Sequence, residues 1–151
     1  MPCSIARTLD IVGEGWTLLI MRDINQGLRR FDEIQKSLGI ATNVLTARLK
    51  RLVEAGLLDQ RAYQERPPRY EYEPTQMARD LAPVLISLVL WGDKYLAGAK
   101  GPPRLLVHNT CGHLTSPRLL CSHCNEPIGT RGVRMVPPPK TRKQAVATQR
   151  G

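Results

Sequence analysis

Three of the chain's four cysteines and all three of its histidines fall between positions 108 and 124, in the stretch HNTCGHLTSPRLLCSHC. Thiolate and imidazole are metal ligands, and two of them three positions apart reach one ion from a single turn. His108 and Cys111 form one such pair, Cys121 and Cys124 the other, with nine residues between the pairs. Zinc ribbons present four ligands tetrahedrally in this way, so zinc is the expected cofactor. Gly112 follows the first pair and Asn125 the second. Both residue types accept the left-handed backbone that wraps a chain around an ion. That favours His108 as the fourth ligand and leaves His113 and His123 as alternatives. A metal-free extension whose cysteines merely pack, or a disulfide between two of them, fits the same residues. A dithiol redox pair at Cys121 and Cys124 needs a βαβ surrounding that the sequence lacks.

Away from this stretch the chain carries little that could catalyse a reaction. It has no phosphate-binding glycine loop, no H-E-x-x-H and no nucleophile elbow. All the histidines lie in the C-terminal third, so the rest of the chain has no histidine general base. A non-enzymatic function is expected.

Charge divides the 151 residues unevenly. Residues 1–99 hold 13 Lys/Arg against 12 Asp/Glu, whereas residues 100–151 hold 9 against one, Glu126. The net charge of +9 therefore describes a nearly neutral domain with a basic tail. The longest apolar run, 83–90, is too short for a membrane helix, and MPCSIARTLD lacks the pattern of a signal peptide. A cytoplasmic protein that does not enter a membrane is expected, with reduced or metal-bound cysteines.

The elements that position these groups follow from hydrophobic period. Apolar residues at 5, 6, 9 and 12 mark a first helix, broken by Gly13 and Gly15, and WTLLIMRDI (16–24) reads as a buried helix stopped by Asn25-Gln26-Gly27. Phe31, Ile34 and Leu38 share a face of a third, with Asp32 and Glu33 in its first turn and Gly39 at its end. A fourth is expected from about Thr42 to Ala55, striped by Leu45, Leu49, Leu52 and Val53 and closed by Gly56. LLDQRAY (57–63) and RYEYEP (69–74) read as strands joined by the stiff tip QERPP. Residues 75–97 read as one long helix, capped by Thr75 and bent or split by Pro83. It has more apolar surface than so small a domain can cover, and a second copy of the chain would bury it.

Helix, turn, helix and hairpin is the order of a winged helix-turn-helix, and a B-DNA major groove admits one α-helix. In the fourth helix Thr42, Asn43 and Thr46 are expected near base edges, with Arg48, Lys50 and Arg51 near phosphates or guanine. Arg66 and Arg69 flank the prolines of the hairpin tip, suited to an adjacent minor groove. A solvated basic helix face would account for the charge alone; the order of elements argues for double-stranded DNA.

CSIARTLDIVGEGWTLLIMRDINQGLRRFDEI, LTARLKRLVEAGLL, PPRYEYEPT and LAPVLISLVLWGDKYL together resemble the HxlR family of bacterial winged-helix regulators, relatives of the MarR group, over residues 3–97. The resemblance implies a homodimer on a pseudo-palindromic operator. Its recognition helix would be 42–55, its wing 63–70, and its dimer helices would come from both ends of the domain. It also implies a regulatory thiol at Cys3, which several family members use to sense electrophiles or oxidants. The site before a helix, with Arg7 one turn on, suits a thiolate; an unreactive small residue at a dimer interface is the other reading. Two positions depart from the family. Ala41 stands where Ser usually caps the recognition helix, so Thr42 is expected to take over the cap. Asn43 stands where a basic residue is common, and a bidentate Asn prefers adenine.

The expected fold is mainly α with a small β-hairpin: a winged helix-turn-helix domain over 1–99, a zinc-ribbon-like module over 104–136 and a disordered basic tail over 137–151. The expected function is sequence-specific transcription regulation, controlled by modification of Cys3 or by a small molecule or oxidant. Lys140, Arg142 and Lys143 of the tail would add salt-sensitive affinity. A zinc-ribbon adaptor that binds protein or RNA is the alternative.

Overall fold

The computed structural model describes residues 3–129 and 131–137; the expected tail contacts Lys140, Arg142 and Lys143 lie outside them. The chain divides into two compact units between Gly101 and Pro102.

In the first unit, α1 is Ser4–Val12, α2 Gly15–Asn25, α3 Phe31–Leu38 and α4 Thr42–Glu54. Strands β1 (Leu58–Gln64) and β2 (Arg69–Pro74) form an antiparallel hairpin, followed by α5 (Gln76–Arg79) and α6 (Ala82–Leu96). The core draws Ile20, Met21 and Ile24 from α2, Ile34 from α3 and Leu45, Leu49 and Leu52 from α4. Leu57, Leu58 and Tyr72 close it from the hairpin side. Of the apolar residues of α2, Ile20, Met21 and Ile24 are buried in this core, whereas Trp16 and Leu19 at its start are exposed, so the helix is not buried all round as expected.

The hairpin pairs Leu58 with Pro74 and Gln64 with Arg69, with a register shift between Ala62 and Gln64. An isolated β-bridge, which periodicity did not signal, ties the residues before α3 to β2. Arg30 bridges Glu71 in antiparallel pairing, and the Tyr72 N–H donates to the Arg29 carbonyl at 2.9 Å. Ion pairs Arg29–Glu73 (3.1 Å) and Arg30–Glu71 (2.9 Å) lock it. The Glu positions of the Tyr/Glu alternation in YEYEP therefore serve to anchor the wing to the start of α3.

The long helix expected over 75–97 is split into two, as Pro83 allowed. Thr75 does cap the first, its Oγ1 accepting from the Ala78 N–H. The chain then turns at Asp80 and Leu81, and Pro83 falls in the first turn of α6, where a missing N–H has no helical partner to lose. No residue of α6 is buried, and Val84, Leu88, Val89, Trp91, Tyr95 and Leu96 are all exposed.

In the second unit, Val107 bridges Leu114 and Leu120 bridges Pro127, closing two short turns. None of its described residues is buried.

Candidate nucleic-acid interface

Three residues, Gly39, Ile40 and Ala41, connect α3 to α4. Gly39 takes φ 61°, the left-handed conformation that ends α3 and turns the chain. Ile40 is buried and anchors the turn in the core. The Gln35 amide donates to the Thr42 hydroxyl at 2.7 Å and reaches the Ile40 carbonyl at 3.4 Å, bracing the turn from α3. Thr42 does not cap α4. Ala41 occupies the cap position, no side chain caps the helix, and Thr42 is its first residue.

With Leu45, Leu49 and Leu52 turned inward, α4 exposes Thr42, Asn43, Thr46, Ala47 and Lys50. The Thr46 hydroxyl donates back to the Thr42 carbonyl at 2.8 Å. Its oxygen keeps lone pairs free to accept from a base. Lys50 stands 3.8 Å from Glu54, one turn on, with both side chains mostly exposed. Such a pair is weak and yields readily to a phosphate.

Arg48 and Arg51, expected near phosphates or guanine, are held by contacts within the fold. Arg48 pairs with Glu14, and Arg51 pairs with the same carboxylate at 3.0 Å. A second nitrogen of Arg51 donates to the Asp10 carbonyl at 2.7 Å. Both guanidinium groups are thus turned toward the junction between α1 and α2. They position α4 against that junction, Arg48 half-buried and Arg51 still exposed. Glu14 gave no sequence signal, because its partners lie 34 and 37 residues away and only the fold brings them together.

On the hairpin, Arg66 and Arg69 are exposed at and beside the tip. Arg30 lies 4.7 Å above the Tyr63 ring, which ties β1 to the start of α3. Glu33, in the first turn of α3, accepts the backbone N–H groups of Arg29 and Arg30, each at 3.0 Å. These bonds hold its carboxyl below the usual carboxylate range. The R-F-D-E sequence carries a readable signal for this, an acid at the third helical position folding back on the helix start.

Cys3 is the half-buried residue preceding α1, and its carbonyl accepts the Arg7 N–H at 3.1 Å. In the second unit His108 Nδ1 lies 3.3 Å from Cys111 Sγ. The backbone N–H groups of Cys124 and His123, then the Cys124 thiol, hold the Cys121 thiol below its ordinary pKa. Of the two predicted ligand pairs, His108 and Cys111 thus approach each other directly. Among the described residues, no group of three or more His, Cys, Asp or Glu side chains is gathered around one metal position.

The profile of the HxlR-like helix-turn-helix family matches residues 11–100, from the end of α1 to just past α6. The chain belongs to the HxlR family. It is 46% identical over 136 residues to an uncharacterised HTH-type transcriptional regulator of Mycobacterium tuberculosis, covering 90% of this chain and 86% of that one. The HTH-type regulator YdeP of Bacillus subtilis is 34% identical over 62% of this chain and 73% of its own. Among solved structures, PA1607, described as a candidate transcription factor, is 35% identical with a TM-score of 0.80, over 89% of this chain and 94% of that one. The oxidised form of the redox regulator HypR is 29% identical with a TM-score of 0.56, over 61% of this chain and 96% of its own. The mycobacterial match leaves too few residues outside it to stop at Gly101, so it runs into the second unit. The protein is thus an HTH-type, DNA-binding transcription regulator of the MarR-like group. Among the described residues no helix is long and apolar enough to cross a membrane.

Proposed function

We propose that the protein is a homodimeric regulator that binds a pseudo-palindromic operator in double-stranded DNA and is controlled through Cys3 or a small ligand. The observation that carries this reading is the exposed face of α4. Thr42, Asn43, Thr46 and Lys50 are polar, outward and not engaged in the core, while Arg48 and Arg51 hold the helix in place behind them. Asn43 reads an adenine edge, Lys50 takes a phosphate, and Arg66 and Arg69 reach from the wing to the adjacent minor groove. In a two-fold dimer the two α4 helices enter successive major grooves, roughly 34 Å apart.

Control belongs to α1. Cys3 opens it, and the helix forms one wall of a cleft lined by Arg7, Thr8, Ile11, Leu57, Met77 and Leu81. An oxidant that converts the Cys3 thiol to sulfenic acid takes two electrons from sulfur, a peroxide being reduced to water or an alcohol. The new group at the start of α1 would change how α1 packs against its partner, and with it the spacing of the recognition helices. The similarity to HypR, a protein named as a redox regulator, supports this reading.

Fluorescence anisotropy with genomic fragments at moderate salt tests the reading. The expected result is a fragment bound well above bulk DNA, with its affinity lowered by Asn43→Ala and its release by oxidant lost in Cys3→Ser. A purified chain with no preference among fragments would sink the operator reading. An oxidant response that survives Cys3→Ser would sink the control mechanism alone.

A further inference from the structure

The second unit uses one turn twice. In the first copy the Gly112 N–H donates to the His108 carbonyl (2.8 Å), the His108 N–H to the His113 carbonyl (2.9 Å), and the Thr115 N–H to the Leu106 carbonyl (2.9 Å). In the second, Asn125 donates to Cys121 (2.9 Å), Cys121 to Glu126 (2.9 Å) and Ile128 to Leu119 (2.8 Å). Every donor and every acceptor has moved by thirteen residues. The two bridges, Val107–Leu114 and Leu120–Pro127, obey the same shift. So do the two left-handed residues, Gly112 at φ 71° and Asn125 at φ 58°. Asn125 is the one non-glycine residue with positive φ among the described residues, a conformation a turn must require before a side-chain-bearing residue adopts it.

This register fixes which side chains are equivalent. Cys111 matches Cys124, and His108 matches Cys121. His113 falls opposite Glu126 and His123 opposite Thr110, so neither stands at a repeated donor position. Backbone hydrogen bonding thus selects His108 without reference to any ligand, and its Nδ1 lies 3.3 Å from Cys111 Sγ. At the equivalent place in the second turn stands Cys121, whose carbonyl accepts the Asn125 N–H at 2.9 Å as that of His108 accepts the Gly112 N–H at 2.8 Å.

What is missing from the unit is a core. None of its described residues is buried, and Leu105, Val107, Leu114, Leu119 and Leu120 are each at least half exposed. Segments of this size that lack a core depend on disulfides, metals or association to offset the entropy of ordering the chain. All four cysteines are free thiols. The turns each hold two donors, and among the described residues no larger donor group gathers; an ion taken between the turns would supply the missing link. The tether between them is short, so once one pair holds an ion the other pair is present at high effective concentration.

We propose that His108, Cys111, Cys121 and Cys124 bind one zinc ion in a closed tetrahedral site that joins the two turns. Three thiolates and one imidazole are a structural zinc donor set with no open position, so the ion organises the unit and performs no chemistry. Binding releases the thiol protons, so the site loads less well as pH falls.

The full-length chain, purified under reducing conditions, tests this without DNA, so the outcome is independent of the operator reading. Elemental analysis is expected to give about one zinc per chain. Cobalt(II) titrated into the zinc-stripped chain should give the intense visible bands of a tetrahedral ion and a thiolate charge-transfer band scaled to three sulfurs. Cys121→Ser and Cys111→Ser should lose the ion, Cys3→Ser should keep it, and His108→Cys should keep it with a four-sulfur spectrum. His113→Ala and His123→Ala should bind normally. A metal-free wild-type chain that gives no tetrahedral cobalt spectrum overturns the proposal, as does a Cys111–Cys124 disulfide in the reduced preparation. Half an ion per chain overturns the single-chain site in favour of one shared by two copies.

Discussion

Glu14 holds Arg48 and Arg51 at once, and that one carboxylate separates the basic residues of α4 into two kinds. Lys50 faces solvent, whereas Arg51 spends its guanidinium on Glu14 and the Asp10 carbonyl. The two should therefore respond differently to removal. Lys50→Ala is expected to reduce the salt dependence of DNA binding by about one phosphate's share, a slope change of roughly 0.9. Arg51→Ala should leave that slope alone and destabilise the fold by about 1 kcal/mol or less, the scale of an exposed pair. Binding titrations at several salt concentrations, beside urea unfolding, check both. Glu33 gives a pH prediction. Its carboxyl is held below its ordinary range by two backbone N–H groups, so ionised Glu33 favours the folded state. That contribution is present above the unfolded carboxylate pKa and is lost as pH falls through the depressed folded value. Melting temperatures of wild type and Glu33→Gln should differ most near neutrality and converge in acid; a gap that widens in acid would contradict the assignment.

The four N-terminal helices were legible at the scale of elements because their stabilising contacts recur every three to four residues, as with Leu45, Leu49 and Leu52. The same period names a prediction. Leu49 is fully buried, so Leu49→Ala should cost about 2–5 kcal/mol in urea unfolding, while Ala47→Ser on the exposed face should cost under about 1 kcal/mol. What escaped the sequence was long-range. The bridge at Arg29–Arg30 exists because Glu71 and Glu73 meet it some forty residues later, and no local pattern encodes that pairing. The direction of Arg48 and Arg51 escaped for the same reason. A helical wheel places Arg48 toward the edge of the buried face, but only the fold supplies Glu14. In the second unit the donor spacing was readable at once, whereas the thirteen-residue register emerged only from the hydrogen bonds. The two copies share few side chains beyond the donors.

At the scale of the whole molecule the unresolved demand of the first unit is apolar. Ile5 and Leu9 of α1 and Val84, Leu88, Val89, Trp91, Tyr95 and Leu96 of α6 are exposed, with Trp91 and Tyr95 in contact at 5.4 Å between ring centroids. A monomer rarely leaves so much aliphatic and aromatic surface in water. An isologous dimer would cover both helices with their own copies and set two α4 helices a fixed distance apart. Leu88 faces solvent at 47% exposure and contributes nothing to the core, so Leu88→Lys leaves each copy able to fold. In a dimer the same change places two charges in an apolar interface, where each loses its water without gaining a partner. Sedimentation velocity is expected to show a dimer for wild type and a monomer for the variant at micromolar concentration, with unchanged helical circular dichroism. Operator affinity should fall by about 10²–10⁴-fold, because the second half-site is no longer delivered by the same molecule. A Leu88→Lys chain that remains a dimer would move the interface off α6, and a monomer that keeps full affinity would show that one α4 is enough.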